Sequence, residues 1–512
     1  MTDMPLNISP KSLIVRVRFF DRPEGIMKYG LLITTAFGLS LFAAAPAFAD
    51  AETEALKKEV KALEARIEQL EAREKAQKKQ TVTAEAPKAP AALDRRLAIV
   101  ERNQEVAQET QKARDAVTPK FDYTPGRGMT LATPDKQYAL KVQGYIQADN
   151  RTFFDSGAAG TTNIFLIRSA RPVVEAKLTD YFDSRVQIDF GKGATTLLDA
   201  YGDFHPMPGS KLVNLRMGEF KVPLGIERWQ SESDTLFVER GQTTNLVPYR
   251  DIGVMAYGQL IPDQLEYQVA LVNGTADLLA NTGDADNNKD VAGRIFVHPF
   301  TWMGVRPLEG LAFGVAGSYG VHQGSVAAPG LVAGYASFGQ RTYFTYKAGV
   351  FANGPQMRVN PQMQYYYGPF GMFAEYVANT QEVRNGAATT KLRNNAWEAA
   401  GSYVLTGEDA SFDGVNPAHD FDPRANRWGA FELAARVSEL NVDHNAFAAA
   451  LYADPAVSAR EAFETTIGVN WYFSRAVKLN FDLSRTAFDG GFSAGRDHPD
   501  EKAMLTRAQF RF

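Results

Sequence analysis

The chain has 512 residues, no cysteine, 22% charged residues, 42 glycines and a formal net charge of -4. The missing cysteines exclude a disulfide scaffold, a cysteine zinc site and a thiol nucleophile, and the near-balanced charge argues against a nucleic-acid partner. After residue 49 no stretch approaches the roughly 20 apolar residues of a spanning helix, so any later membrane crossing must use strands.

Residues 1–26 mix charges of both signs with prolines and read as a non-native or untranslated extension, with Met27 as the true start. Met27-Lys28, an apolar run from Leu31 to Phe48 and the small-residue end Ala47-Phe48-Ala49 describe a signal peptide over 27–49. Export suits a chain without thiols. In segment 50–80, Leu56, Val60, Leu63, Ile67 and Leu70 follow the 4, 3, 4, 3 spacing of a coiled coil, which predicts self-association; a solvated single helix is the alternative. Residues 81–120 contain a Pro/Ala linker, Thr81–Pro90, and a weak helix from Leu93 to about Val117 that Pro119 ends.

From Tyr138 the period becomes two. Leu140, Val142, Gly144, Ile146 and Ala148 are apolar or small, while Lys141, Gln143, Gln147 and Asp149 are polar. The same alternation recurs over 182–190, 198–204, 431–438, 466–473 and 477–484, and the last run puts Met504, Thr506, Ala508, Phe510 and Phe512 on one face. Polar turns separate these runs, and aromatics gather at strand ends, as in Tyr365-Tyr366-Tyr367 and Trp471-Tyr472-Phe473. The predicted fold is all-β: a transmembrane antiparallel β-barrel over 121–512, preceded by a periplasmic coiled-coil helix. Sixteen strands would leave about 23 residues per strand and connection, although alternation alone does not separate 14, 16 and 18.

Leu215-Arg-Met-Gly-Glu-Phe-Lys-Val-Pro-Leu-Gly-Ile-Glu-Arg228 resembles the phosphate-selective porin O and P family, and the likeness continues through Phe237-Val-Glu-Arg240, Pro248–Gly253, Leu271–Gly274, Val291–Arg294, Tyr403–Glu408 and Gly429–Arg436. The resemblance implies a homotrimer of 16-stranded outer-membrane barrels in a Gram-negative bacterium, with loops folded inward around an anion-conducting pore. It also implies that Phe512 is the signal read by the barrel-assembly machinery. The family places its constriction loop at Lys221–Arg250, where Lys221, Arg228, Ser231, Ser233, Arg240 and Arg250 become candidates. Arg168 and Arg171 match the family's arginine ladder near the first hairpin, with Ser169 interrupting it.

A pore selects an oxyanion with a few fixed cationic donors, and arginine matches phosphate oxygens two at a time. Residues 121–512 hold 24 Arg and 11 Lys. Alternation turns Arg171, Lys177, Arg185 and Arg216 toward the lumen; the bland reading of each is a wall salt bridge. Against an anion pathway stand 42 acids to 35 cations over 121–512, which requires segregation. Asp277, Asp284, Asp286 and Asp290, with Glu408, Asp409, Asp413, Asp420 and Asp422, are expected in outer loops.

The expected function is passive diffusion of phosphate or a related oxyanion across the outer membrane. The alternatives are a broad porin for small solutes and a barrel-anchored tether gripping the cell wall through residues 51–117. Besides small anions, the partners expected are outer-membrane lipid and the assembly machinery, with no nucleic acid. Gly491-Phe-Ser-Ala-Gly495 imitates a nucleophile elbow but sits between the last two strands, and Asp284–Asp290 lacks the glycine and glutamate of a calcium loop. Neither enzyme activity, nor a cofactor, nor a metal is expected.

Overall fold

The computed structural model describes residues 69, 89–115, 118–154, 162–276, 284 and 286–512. The extension, the signal segment and the heptads Leu56–Leu70 lie outside the described residues. The chain divides into two compact units, residues 1–103 and 104–512. Helix α1, Ala89–Asp115, has Lys112 and Arg114 in its last turn, where they complement the helix dipole. Its Leu93, Leu97 and Val106 are exposed.

Sixteen strands form the wall. They are β1 (Ala139–Phe153), β2 (Ile164–Lys177), β3 (Phe182–Asp189), β4 (Thr196–Phe204), β5 (Asn214–Lys221), β6 (Arg250–Ile261), β7 (Leu265–Val272) and β8 (Asp290–Val297). The chain continues through β9 (Leu311–Gln323), β10 (Val350–Tyr367), β11 (Phe370–Asn385), β12 (Ala388–Val404), β13 (Ala430–Asn441), β14 (Ala459–Tyr472), β15 (Val477–Phe492) and β16 (Glu501–Arg511). Each pairs antiparallel with its neighbour, and β16 pairs with β1 through Ala508↔Ala148 and Phe510↔Ile146, which closes the barrel. Arg507 spans this seam with two hydrogen bonds to Asp149, at 2.7 and 2.8 Å, and Phe512 exchanges backbone hydrogen bonds with Gly144. Just below Phe512, a short hairpin of Lys120–Thr124 and Gly128–Ala132 takes over the free edge of β1 at Ala139–Val142.

The wall has its polar side in. On β1, Gln147 and Asp149 are buried while Ile146 is exposed; on β15, Asn480 and Asp482 are buried while Phe481 and Leu483 are exposed. This inversion of soluble patterning leaves an apolar outer surface for lipid, while closure of the sheet pairs most wall amides with neighbouring strands. Both ends of the wall lie on the side of the tight turns 178–181, 262–264, 368–369 and 473–476, which is the periplasmic side of such barrels.

Close strand packing depends on Gly218 of β5, whose φ is 132°, and a Cβ there would lie 2.7 Å from the Tyr201 Cα on β4. Because neither backbone can move away alone, Gly218→Ala should cost roughly 2 kcal/mol or more. A lower urea midpoint in micelles, read by tryptophan fluorescence, is the expected result.

Three connections fold into the barrel and contribute to its buried apolar cores, to which the connection 442–458 adds Ala446 and Ala453. Residues 222–249 contribute Leu224, Ile226, Phe237 and Leu246, all fully buried. Residues 324–349 contribute Phe338 and Phe344. The third, 405–429, enters from the periplasmic end, where Phe412 offers its carbonyl to the Gln230 side chain at 2.5 Å. Glu408, Asp409, Asp413, Asp420 and Asp422 therefore do not belong to an outer loop, as their acidity suggested. Asp290 also departs from that expectation, being a buried residue at the start of β8.

Candidate anion pathway

Loop 222–249 is fixed to the wall by buried polar contacts. Arg436 of β13, fully buried, reaches Glu227 at 3.0 Å and Glu464 of β14 at 2.9 Å. The amide of Ile226 donates to Glu375 at 2.9 Å, that of Gln242 to Ser438 at 2.8 Å, and that of Val238 to Asp482 at 2.6 Å. Glu227, Glu375, Glu398 and Glu464 are each 4% exposed or less, enclosed between the loop and β11–β14. The loop thus covers a concentration of acid, and its opposite flank faces the cations of β2–β4.

On that flank lies a cavity of about 430 Å3, bounded by the loop, by β2, β4 and the turn between β3 and β4, and by Ala336, Ser337 and Gln340 of the second inward loop. Five cations line it, Arg168, Arg171, Lys192, Arg228 and Arg240, against three carboxylates, Asp189, Glu232 and Glu239. Arg168 is held by both oxygens of Glu239, at 2.8 and 3.1 Å. Arg171 contacts Asp189 at 2.7 Å, Glu232 at 2.5 Å and the Tyr145 hydroxyl at 2.9 Å. Arg240 binds Glu232 at 2.8 Å and the carbonyls of Glu227 and Gln230.

The other two cations have no carboxylate partner among the described residues. Arg228 lies 4.9 Å from the Tyr249 ring centre and donates to the Thr244 carbonyl, and its buried Nε has no hydrogen-bond partner. Burial, then the charge of Arg240, lowers its guanidinium to about 10. Lys192 sits in Gly191-Lys192-Gly193 at φ 56°, and its ammonium has neither a hydrogen bond nor an ion pair among the described residues. Burial, then Arg168, lowers its affinity for a proton. For Glu239, burial alone would raise the carboxyl, but Arg168 and Arg151 hold it below the ordinary range. Arg171 and Arg240 likewise outweigh the burial of Glu232 and hold it well below that range.

The remaining candidates lie elsewhere. Lys177 binds Asp180 at 2.7 Å at the periplasmic rim. Arg185 pairs with Glu175 and with Asp199, the latter at 3.2 Å. Arg216 makes two 2.8 Å contacts to Asp203, stacked 3.8 Å from the Tyr201 ring centre. Arg250 binds Asp199 at 2.7 Å. Lys221 donates to the carbonyls of Trp229 and Gln230, at 3.1 and 2.8 Å, and so fastens the loop to β5. Ser231 and Ser233 hydrogen-bond each other at 2.9 Å, and neither lines the cavity.

Sequence reasoning missed Lys192, because a Gly-Lys-Gly turn lies outside both the strand alternation and the family motifs. It also missed Thr244 and Asn245, which complete the lining from the loop's second half.

The family described as phosphate-selective porin O and P matches residues 140–512. Porin O of Pseudomonas aeruginosa is 26% identical over 416 residues, covering 75% of this chain and 91% of that protein. Among solved structures, the outer membrane channel DcaP of Acinetobacter baumannii aligns with a TM-score of 0.50 at 11% identity, over 73% of this chain and 98% of its own. OmpT of Vibrio cholerae in its trimer form aligns with a TM-score of 0.46 at 10% identity, over 73% and 99%. With its match across the whole barrel wall, the chain belongs to the phosphate-selective porin O and P family and is a non-enzymatic outer-membrane porin of Gram-negative bacteria.

Proposed function

We propose that the channel passes small anions, phosphate or a related oxyanion, by way of the cavity beside loop 222–249. The observation that carries this reading is the cavity's excess of two positive charges, together with Lys192 and Arg228, neither of which has an ion pair among the described residues. Arg168, Arg171 and Arg240 are already paired and supply a stiff cationic wall. The two unpaired cations remain to exchange partners with a passing anion. A pore needs such contacts to be few and individually weak, so that the ion can leave again. We further propose that three copies assemble as a homotrimer, the state that membership of this porin family favours.

Planar-bilayer recording under a salt gradient tests the reading. A reversal potential of anion-selective sign and inhibition of chloride current by added phosphate are expected. Cation selectivity would overturn it, and anion selectivity without phosphate inhibition would reduce the channel to a general anion porin.

Selectivity should also depend on pH in one direction. Lys192 titrates below an ordinary lysine and Arg228 near 10, whereas Glu232 and Glu239 stay ionised. Raising the pH from 7 toward 10 therefore removes positive charge without changing the negative set. Anion selectivity should fall across that range and recover on return to neutral pH.

A further inference from the structure

The outer surface of β12–β16 carries a shallow apolar groove of about 730 Å3. Its floor is the cross-strand pair Gly401↔Ala435, the two smallest outward residues there. On the periplasmic side the groove is walled by the pair Tyr403↔Leu433, and beyond Ala435 by Ile467, which is 61% exposed. The next outward pair toward the periplasm is Phe431↔Trp471. Trp471 stacks on Phe431 at 5.2 Å and on Phe473 at 4.0 Å between ring centres, and Phe421 and Trp428 close the cluster edge-on.

Residues 421–428 are pinned to this cluster. The Phe421 amide donates to the Phe473 carbonyl at 2.7 Å, the Trp471 indole donates to the Trp428 carbonyl at 2.7 Å, and Asp422 bridges Arg427 through the backbone. Arg424 and Arg427 lie on this turn, exposed, and neither guanidinium has an ion pair among the described residues. A second apolar groove, over β3–β8, lacks that feature, since the nearby rim lysine Lys211 is paired with Asp263 at 2.9 Å.

We infer that the β12–β16 groove is a specific site for one phosphate-bearing diacyl lipid of the periplasmic leaflet. Its acyl chain lies over Gly401 and Ala435, its glycerol region meets the aromatic cluster, and its phosphate is gripped by Arg424 and Arg427. The charge favours a phosphate-bearing headgroup, because two arginines at the membrane surface with no ion pair among the described residues attract a phosphodiester and gain nothing from a lipid that lacks one. Amphipathic aromatic rings occupy the same depth in membrane proteins generally.

Native mass spectrometry of the full-length protein released from detergent provides the test, with dipalmitoyl phosphatidylglycerol and dipalmitoylglycerol as probes. Retention of the phosphate-bearing lipid over the phosphate-free one is expected. Arg424→Ser with Arg427→Ser, on an exposed turn that leaves the wall intact, should reduce that retention about tenfold or more and remove the preference. Ala435→Phe should block both lipids while the barrel stays heat-modifiable on gels. Equal retention of the two lipids by the natural protein would overturn the site, as would full retention by the double serine variant. An Ala435→Phe protein that changes oligomeric state while binding lipid normally would also overturn it, by making this face an interface between copies.

Discussion

Replacing Lys192 and Arg228 together by glutamine should abolish anion preference and weaken phosphate inhibition of chloride current by roughly tenfold or more. Two unit charges about 8 Å apart at an effective dielectric near 20 interact by about 2 kcal/mol, so removing two unpaired cations erases an attraction of that order even after salt screening. The double variant leaves the cavity's three arginine–carboxylate assemblies intact, and the remaining lining carries three cations against three carboxylates. Its single-channel conductance in concentrated salt should change little, because the bore is unchanged while the field is lost. Lys211→Gln, at an exposed and already paired rim position, serves as the control and should keep the natural selectivity. Undiminished phosphate inhibition in the double variant would transfer the selecting role to the paired arginines.

The largest effect on stability should come from Arg436→Met. Its guanidinium is the shared partner of Glu227 and Glu464 and also donates to the carbonyl of Glu239, with no exposed atom in the pair on either side. Removing one member of such a buried assembly leaves uncompensated carboxylates and costs on the order of 3–5 kcal/mol. Because the partners belong to the loop and to the wall, the expected phenotype is twofold: a lower urea midpoint, and single-channel records that become larger and noisier as loop 222–249 detaches. Adding Glu227→Gln and Glu464→Gln to the same chain should recover much of the midpoint, since neutral amides carry a smaller burial cost. A variant of natural stability would show that the amide contacts to Glu375, Ser438 and Asp482 suffice to hold the loop.

The wall was legible in the sequence because a one-sided sheet repeats every two residues. Leu140 to Asp149, Val477 to Ser484 and Met504 to Phe512 have the facing that their alternation predicts. What alternation does not encode is which inward charges meet one another. Arg216 and Asp203 sit 13 residues apart, Arg171 and Glu232 are 61 apart, and Arg507 and Asp149 are 358 apart. Only the barrel's closure and the path of the inward loops bring such pairs within hydrogen-bond reach. Lys192 was hidden for the opposite reason: it has no ion pair among the described residues, and a turn flanked by two glycines gives no periodic sign. The proposed anion pathway requires acid to be segregated from it, and the burial of Glu375, Glu398 and Glu464 beneath the loop depends on contacts far apart in the chain.

The seam between β1 and β16 also governs the order of construction. The wall closes only when the residues around Arg507 meet those around Asp149, so the complete wall must be synthesised and exported before the two edges can pair with each other. Until then both margins present a row of unpaired amides, a template for joining the wrong chain, and contacts so distant in sequence form slowly. The small hairpin at Lys120–Ala132 already shields part of the β1 margin using neighbours only a few residues away. Such local pairing forms early and blunts one sticky edge during transit, leaving the upper part of the same margin for its final partner.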